Sequence, residues 1–385
     1  MCSSDLVLWD TATQRFYFEI WDTTSATFRW GFSKSADPTT ADPASWCSYV
    51  SGFGYSPLDG PDYPKLGQTK DFLLIGVNFF PGFTSWGGGD ILWIDKPQGS
   101  APITSCPANT FRTGRFTGVH NPDGSLLFTP VPAQQTDPSG TGWVLAQSDT
   151  ADSSGGFDYL SVIQVRKDPA TGDPELSPVR TLPVAHFDIP LPALQCGDTG
   201  FRLDTLDGRL EHAVSAIDPL LGTTVVWTAM AVLGGAGSEE RWFEVLPGAS
   251  GAPRAVQSGV VTNPSRFVFN GAISPDRTVT PTGRSHGTSM VMGFTTSSPN
   301  RCADAEMVSK VGTAAQSPPV LIEAPGVPMT DFSCTAHVCR WGDYGGASPD
   351  PAVPLAAKTG AVWLVQDVPA PSGTAQGSWI WRARP

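Results

Sequence analysis

Charge is scarce in this chain. Only 16% of its 385 residues are Asp, Glu, Lys or Arg, against about 25% in an average globular protein. Basic residues are the scarcer kind: 24 Lys and Arg stand against 36 Asp and Glu, a formal net charge of −12. A surface of that sign repels phosphate backbones and anionic lipid faces, which argues against nucleic acid and membrane-surface partners. Long apolar runs are lacking too. Among the longest is Phe72 to Phe80, nine residues broken only by Asn78, whereas a spanning helix needs about 18 or more, so no membrane insertion is expected. The first residues show neither the basic nor the apolar region of a secretory leader. Back-translation of Met1 to Leu6 resembles the end of a sequencing adapter. Residues 1–6 are therefore read as a non-native artefact on a truncated environmental gene, with any leader lost upstream.

Helical periodicity is also nearly absent. In its place, apolar and β-branched runs of five to nine residues alternate with clusters of Gly, Pro, Asp, Asn and Ser, the pattern of an all-β chain. Clear strand candidates are Phe16–Trp21, Phe72–Asn78, Asp90–Ile94, Gly142–Gln147, Phe157–Arg166, Thr223–Ala229, Glu240–Leu246, Ser289–Phe294, Ala361–Gln366 and Ser378–Arg382. The 41 Gly and 36 Pro supply turns, and 13 Trp, 20 Phe and 6 Tyr supply a large core.

The strands recur in groups. Group openings fall at residues 6, 65, 126, 209, 268 and 341, spaced 59, 61, 83, 59 and 73 residues apart. About four strands per repeat, repeated six times, predicts a six-bladed β-propeller. No linker or composition shift divides the chain, so residues 1–385 read as a single domain rather than stacked sandwiches. The last group has only three strands, so the last blade is expected to be incomplete. Its missing partner would be an N-terminal closing strand upstream of Asp5.

Seven cysteines are present. Discounting Cys2 leaves Cys47, Cys106, Cys196, Cys302, Cys334 and Cys339. An even count in a chain low in Lys suits an exported, disulfide-bearing protein, secreted or held at the cell surface. The expected pairs are Cys334–Cys339, a short loop closure, and Cys106–Cys196.

Several segments resemble a family of secreted bacterial β-propellers described as BNR-repeat or exo-sialidase-like. They are Val7-Leu8-Trp9-Asp10, Asp62-Tyr63-Pro64-Lys65-Leu66-Gly67, Leu203-Asp204-Thr205-Leu206-Asp207-Gly208-Arg209-Leu210, Arg241-Trp242-Phe243-Glu244-Val245 and Arg340-Trp341-Gly342-Asp343-Tyr344. The resemblance spans essentially the whole chain and implies a propeller fold and export. It implies no settled activity. The Phe-Arg-Ile-Pro segment of sialidases is missing, with Phe201-Arg202-Leu203-Asp204 a partial echo, and the Asp-box survives only as the degenerate Asn121-Pro122-Asp123-Gly124-Ser125.

No motif carries chemistry outright. Gly283-Arg284-Ser285-His286-Gly287 fits Gly-x-Ser-x-Gly, but a strand follows where the nucleophile elbow needs a helix. Cys334, His337 and Cys339 are too few for a structural zinc site, which takes four ligands. The acidic turns Asp149–Asp152 and Asp168–Asp173 offer hard oxygens, but at no calcium-loop spacing. No cofactor is expected, calcium being the one with any support.

The better candidates come from position. In a propeller the loops leading into the innermost strands converge on the ligand funnel. Those loops carry Asp62, Tyr63 and Lys65; Asp204, Asp207 and Arg209; Arg266 and Asn270; and Arg340, Trp341, Asp343 and Tyr344. Aromatic faces stack on sugar rings, while carboxylates and arginines bind hydroxyls and acids. Trp86, in a Gly-rich turn, is expected to be an exposed aromatic. The function these residues suggest is an extracellular recognition module for a carbohydrate or protein ligand. The alternative is a polysaccharide-acting glycoside hydrolase or lyase, sialidase-like in fold.

Overall fold

A computed structural model of the protein describes residues 5–137, 140–151, 155–197, 199–248, 251–277, 287–352 and 359–385. The Gly-x-Ser-x-Gly residues 283–286 and Asp152 lie outside the described residues. Among those described, the only helical element is the short 3-10 turn Pro81–Phe83, and everything else regular is strand.

Six antiparallel sheets follow one another along the chain, the arrangement of a six-bladed β-propeller. The first comprises Asp5–Asp10, Arg15–Asp22, Thr27–Ser33 and Trp46–Ser51. The second comprises Gly60–Gln68, Phe72–Phe80, Gly89–Asp95 and Thr113–Phe116. The third is built on Leu127–Pro132, Gly142–Ser148, Phe157–Lys167 and Pro174–Leu176. The fourth comprises Leu210–Asp218, Thr223–Val232, Glu239–Leu246 and Arg254–Val261. The fifth comprises Phe267–Pro275, Met290–Ser298, Arg301–Lys310 and Val320–Glu323. The sixth has three strands among the described residues: Gly346–Pro349, Val362–Pro369 and Gln376–Ala383.

Contacts divide the chain into two compact units. One runs to Thr150 and includes Leu160–Leu182; the other is Ala151–Tyr159 with Pro183–Pro385. Within each unit the sheets pack face to face, and strand alternation decides which neighbour a side chain meets. In Phe72–Phe80, Leu73, Ile75 and Val77 join Trp30, Phe32 and Tyr49 of the first sheet. Phe72 and Leu74 turn the other way, onto Leu127, Val144 and Ile163 of the third. A strand covered on both faces reads as a nearly continuous apolar run, which is why Phe72–Phe80 has a single polar residue, Asn78. The second unit repeats this logic: Val225 and Trp227 meet Met290, Met292 and Phe294, while Val291 turns toward Val362 and Leu364.

Three disulfides form: Cys47–Cys106, Cys196–Cys302 and Cys334–Cys339. The short pair is as expected, and it also removes the two thiolates that a zinc site at Cys334 and Cys339 would need. The Cys106–Cys196 expectation is overturned. The segment before Thr113 folds back over the first sheet, where Tyr49 donates to the Pro107 carbonyl at 3.0 Å and Phe111 packs on Trp30, Phe32 and Tyr49. That return delivers Cys106 to Cys47, a contact made through space that spacing along the chain does not encode. No helix among the described residues is long and apolar enough to cross a membrane.

Candidate functional site

Two loops of the second unit lie side by side and bring together most of the candidate residues. One, 204–209, leads into the innermost strand of the fourth blade. The other, 340–345, leads into the innermost strand of the sixth. A short parallel pairing joins their stems, Arg202 opposite Val338 and Leu203 opposite Cys339. Asp204 N–H then donates to the Cys339 carbonyl at 2.9 Å. The Cys334–Cys339 bridge braces the second loop from below, and Ser333 Oγ accepts from the Arg340 N–H at 3.1 Å.

Each loop is held by its own acid. Asp204 Oδ1 accepts from Leu206 N–H at 2.9 Å, an Asx turn that lets Leu206 take a left-handed φ of 61°. Asp207 then receives both Nε and Nη2 of Arg209, at 2.7 and 2.6 Å. In the second loop Asp343 Oδ2 receives Nε and Nη2 of Arg340, at 3.1 and 2.6 Å. Asp204 feels both pairs. Burial first, then the charges of Asp343 and Asp207, push its carboxyl above the usual range, against the pull of the Leu206 N–H and Arg209. The rim is thus three carboxylates and two guanidiniums.

Trp341 does not join that rim. It is 1% exposed, set among Phe267, Phe269 and Met329, with its indole N–H on Thr295 Oγ1 at 3.3 Å. The expected aromatic platform at this position is therefore core, because the ring inserts beneath the loop whose polar residues surround it in sequence. Tyr344 is half-buried beside it. Arg266 pairs with Glu306 of its own blade rather than with the rim.

Beneath the rim lies a buried polar floor. Glu211 and Asn270 sit at register breaks in the innermost strands of the fourth and fifth blades, between Leu210 and His212 and between Phe269 and Ala272. A bulge re-aims side chains that regular alternation would turn elsewhere. Asn270 has a φ of 57°, and its Nδ2 donates to Gln366 Oε1 at 3.0 Å. The other end of its amide lies 2.8 Å from Glu211 Oε2 and 2.7 Å from the Gly342 carbonyl. Gly342 has a φ of 66°, and a Cβ there would sit 2.5 Å from Asn270 Cγ, so both conformation and space demand glycine. Glu240 completes the floor. It is fully buried, and burial together with the charge of Glu211 holds its carboxyl well above the ordinary glutamate range.

Asp62, Tyr63 and Lys65 belong to the first unit and are described by themselves. The same kind of register break falls between Asp62 and Lys65. Tyr63 is 2% exposed, and the Lys65 ammonium lies 4.0 Å from its ring centroid. Trp86, expected to be exposed, is half-buried between Phe80 and Phe128, with its N–H on Asp149 Oδ2 at 2.9 Å. That bond ties the acidic turn at Asp149 to the aromatic loop. Asp168 bonds within its own turn, to Ala170 N–H and the Thr171 hydroxyl.

Reading the sequence by loop position found the rim and missed most of the floor. Asn270 was in view, but Glu211, Glu240 and Gln366 were not. A signal for Glu240 exists: it shares strand parity with Trp242 and Glu244, so a buried indole two residues on marks its face as the inward one. Among the described residues no group of three or more His, Cys, Asp or Glu is placed to hold a metal.

No protein-family model matches the chain, and no curated protein does. Among solved structures a luciferin-regenerating enzyme aligns at 12% identity over 74% of this chain and 82% of that one. Its TM-score of 0.25 is too low to carry an inference.

Proposed function

We propose that the protein is an extracellular recognition module that binds a carbohydrate through the rim formed by Asp204, Asp207, Arg209, Arg340 and Asp343. The observation that carries this reading is the pairing itself. Two loops present carboxylate and guanidinium groups, each pair held by two N–H···O contacts, around a third, half-buried acid. Sugar hydroxyls both donate and accept, and such a surface offers a partner for each role. Six paired cysteines in a Lys-poor chain support an extracellular setting.

A second reading, a glycan-cleaving enzyme, draws on Asp204. A carboxyl whose proton is held more tightly than usual is the kind of group that protonates a leaving oxygen. One experiment separates the two. Wild-type protein is screened against a glycan panel for binding and for turnover, beside Asp207→Asn and Asp343→Asn. Recognition predicts binding without turnover, weakened about tenfold or more in each variant, the loss of one charge-assisted hydrogen bond. Turnover that vanishes in Asp204→Asn establishes the enzyme instead. Neither binding nor turnover by the wild type overturns both.

A further inference from the structure

We propose that the ligand is a neutral pyranose sugar, which lays its C–H face on the ring of Phe332 while its hydroxyl edge meets the Arg340–Asp343 pair. This rests on the reading of the rim as a carbohydrate site. It adds an aromatic subsite and the class of sugar.

The first argument is where Phe332 stands and how it is held. Its side chain is 75% exposed, more than any other large apolar side chain among the described residues. Single exposed apolar residues are common on protein surfaces, but the backbone under this one is pinned at several points. Asp331 Oδ1 accepts from the Ser333 N–H at 2.9 Å and from the Ser333 hydroxyl, an Asx turn with Phe332 as its middle residue. Before the turn, Met329 is fully buried and Thr330 N–H donates to the Gly373 carbonyl at 2.7 Å. After it, Cys334 is locked to Cys339. Ser333 Oγ then accepts from the Arg340 N–H at 3.1 Å, so the chain neighbour of Phe332 touches the backbone of the rim arginine.

An aromatic ring on a braced backbone has little freedom left to lose on binding. The apolar face of a pyranose is its complement, because ring C–H groups meet the negative face of the π-system. The two aromatics within the rim loop leave this role open. Trp341 is core, and Tyr344 is half-buried beside it.

The second argument is charge. Asp207 already takes Nε and Nη2 of Arg209, and Asp343 takes those of Arg340. That fork is the one with which arginine grips the acid group of a uronic or sialic acid. A sugar carboxylate would have to displace Asp207 or Asp343. It would also meet three carboxylates against two guanidiniums, on a chain of net charge −12. Neutral hydroxyls meet neither cost, since they donate to the carboxylate oxygens and accept from N–H groups.

Equilibrium binding tests both points, on the whole protein with its disulfides formed. The probes are neutral gluco-, manno- and galacto-oligosaccharides beside oligogalacturonate and sialyllactose. A neutral sugar is expected to bind more tightly than either acidic probe. Phe332→Ala, a change at an exposed side chain, is expected to keep the wild-type Tm and to weaken that binding about tenfold. Phe332→Trp keeps a ring in place and is expected to retain it. Binding that falls in Asp207→Asn and Asp343→Asn but not in Phe332→Ala overturns the aromatic subsite and leaves the rim reading standing. Tightest binding to an acidic probe overturns the neutral class, again without touching the rim. Wild-type protein that binds neither kind of sugar overturns the rim reading and this proposal with it.

Discussion

Single buried carboxylates give this protein its sharpest pH signature. Glu244 is 1% exposed. Its Oε2 accepts from Gln257 Nε2 at 2.8 Å, and Lys310 bonds the same glutamine. Burial, and then a proton shared with Asp218, push its carboxyl up from 4.5 to about 8. The folded chain therefore holds that proton more tightly than the unfolded chain does. Its contribution to stability is complete below the ordinary glutamate range and is lost as pH climbs through about 8. Glu240 acts in the same direction, through burial and the charge of Glu211. Urea unfolding at a series of pH values is expected to show stability falling between about pH 5 and pH 8. Glu244→Gln should flatten that fall and unfold at higher urea than wild type near pH 8. An unchanged slope would remove Glu244 as its source.

At the scale of elements, the innermost strands do two jobs. They pack against the next blade of the same unit, and their bulges aim polar side chains out of register. Close approach makes the first possible. A Cβ on Gly76 would fall inside the van der Waals radius of the Pro130 carbonyl oxygen, backbone that cannot swing aside. Gly76→Ala is expected to cost roughly 1–3 kcal/mol, the usual penalty of overpacking, read as a lower urea midpoint with an unchanged slope. A neutral result would mean the second and third blades are not pressed together there.

How far the sequence speaks also varies by element. Strands covered on both faces, such as Phe72–Phe80 and Thr223–Val232, announce themselves as apolar runs. The strand Arg301–Lys310 is missed, since Arg-Cys-Ala-Asp-Ala-Glu offers no run although most of it is buried. The outer strands Thr113–Phe116 and Arg254–Val261 are half-exposed and carry no uninterrupted apolar run longer than two residues. The site follows the same rule. Asp207, Arg209, Arg340 and Asp343 are legible because loop position alone places them. Trp341 is misread because its neighbours along the chain are polar, whereas its neighbours in space are Phe267, Phe269 and Met329. Glu240 needs a partner from another strand before it means anything, and pairing across strands is not written in one strand's composition.

For the molecule as a whole, two long covalent closures stand out. Cys47–Cys106 spans 59 residues of the first unit and Cys196–Cys302 spans 106 of the second. In the chain-entropy view each removes about 4–5 kcal/mol worth of unfolded freedom. Calorimetry with and without reductant is expected to show Tm falling on reduction, and Cys196→Ser/Cys302→Ser should lower it without reductant. Equal Tm values in all three samples would mean that packing alone holds the sheets. The sixth blade adds a different liability. Its last strand has one neighbour among the described residues, and Trp379 and Ile380 on it are exposed, an edge open to association with other chains.

The smallest closure has a practical consequence. Cys334–Cys339 sits at the root of the loop that carries Arg340 and Asp343, so its job is local alignment more than global stability. Protein manufactured in the cytosol of an ordinary laboratory bacterium, where thiols stay reduced, would lack this local brace along with the two long closures, leaving the loop slack on a less stable fold. Periplasmic or oxidative-strain expression is the preparation on which the proposed ligand screen should be run.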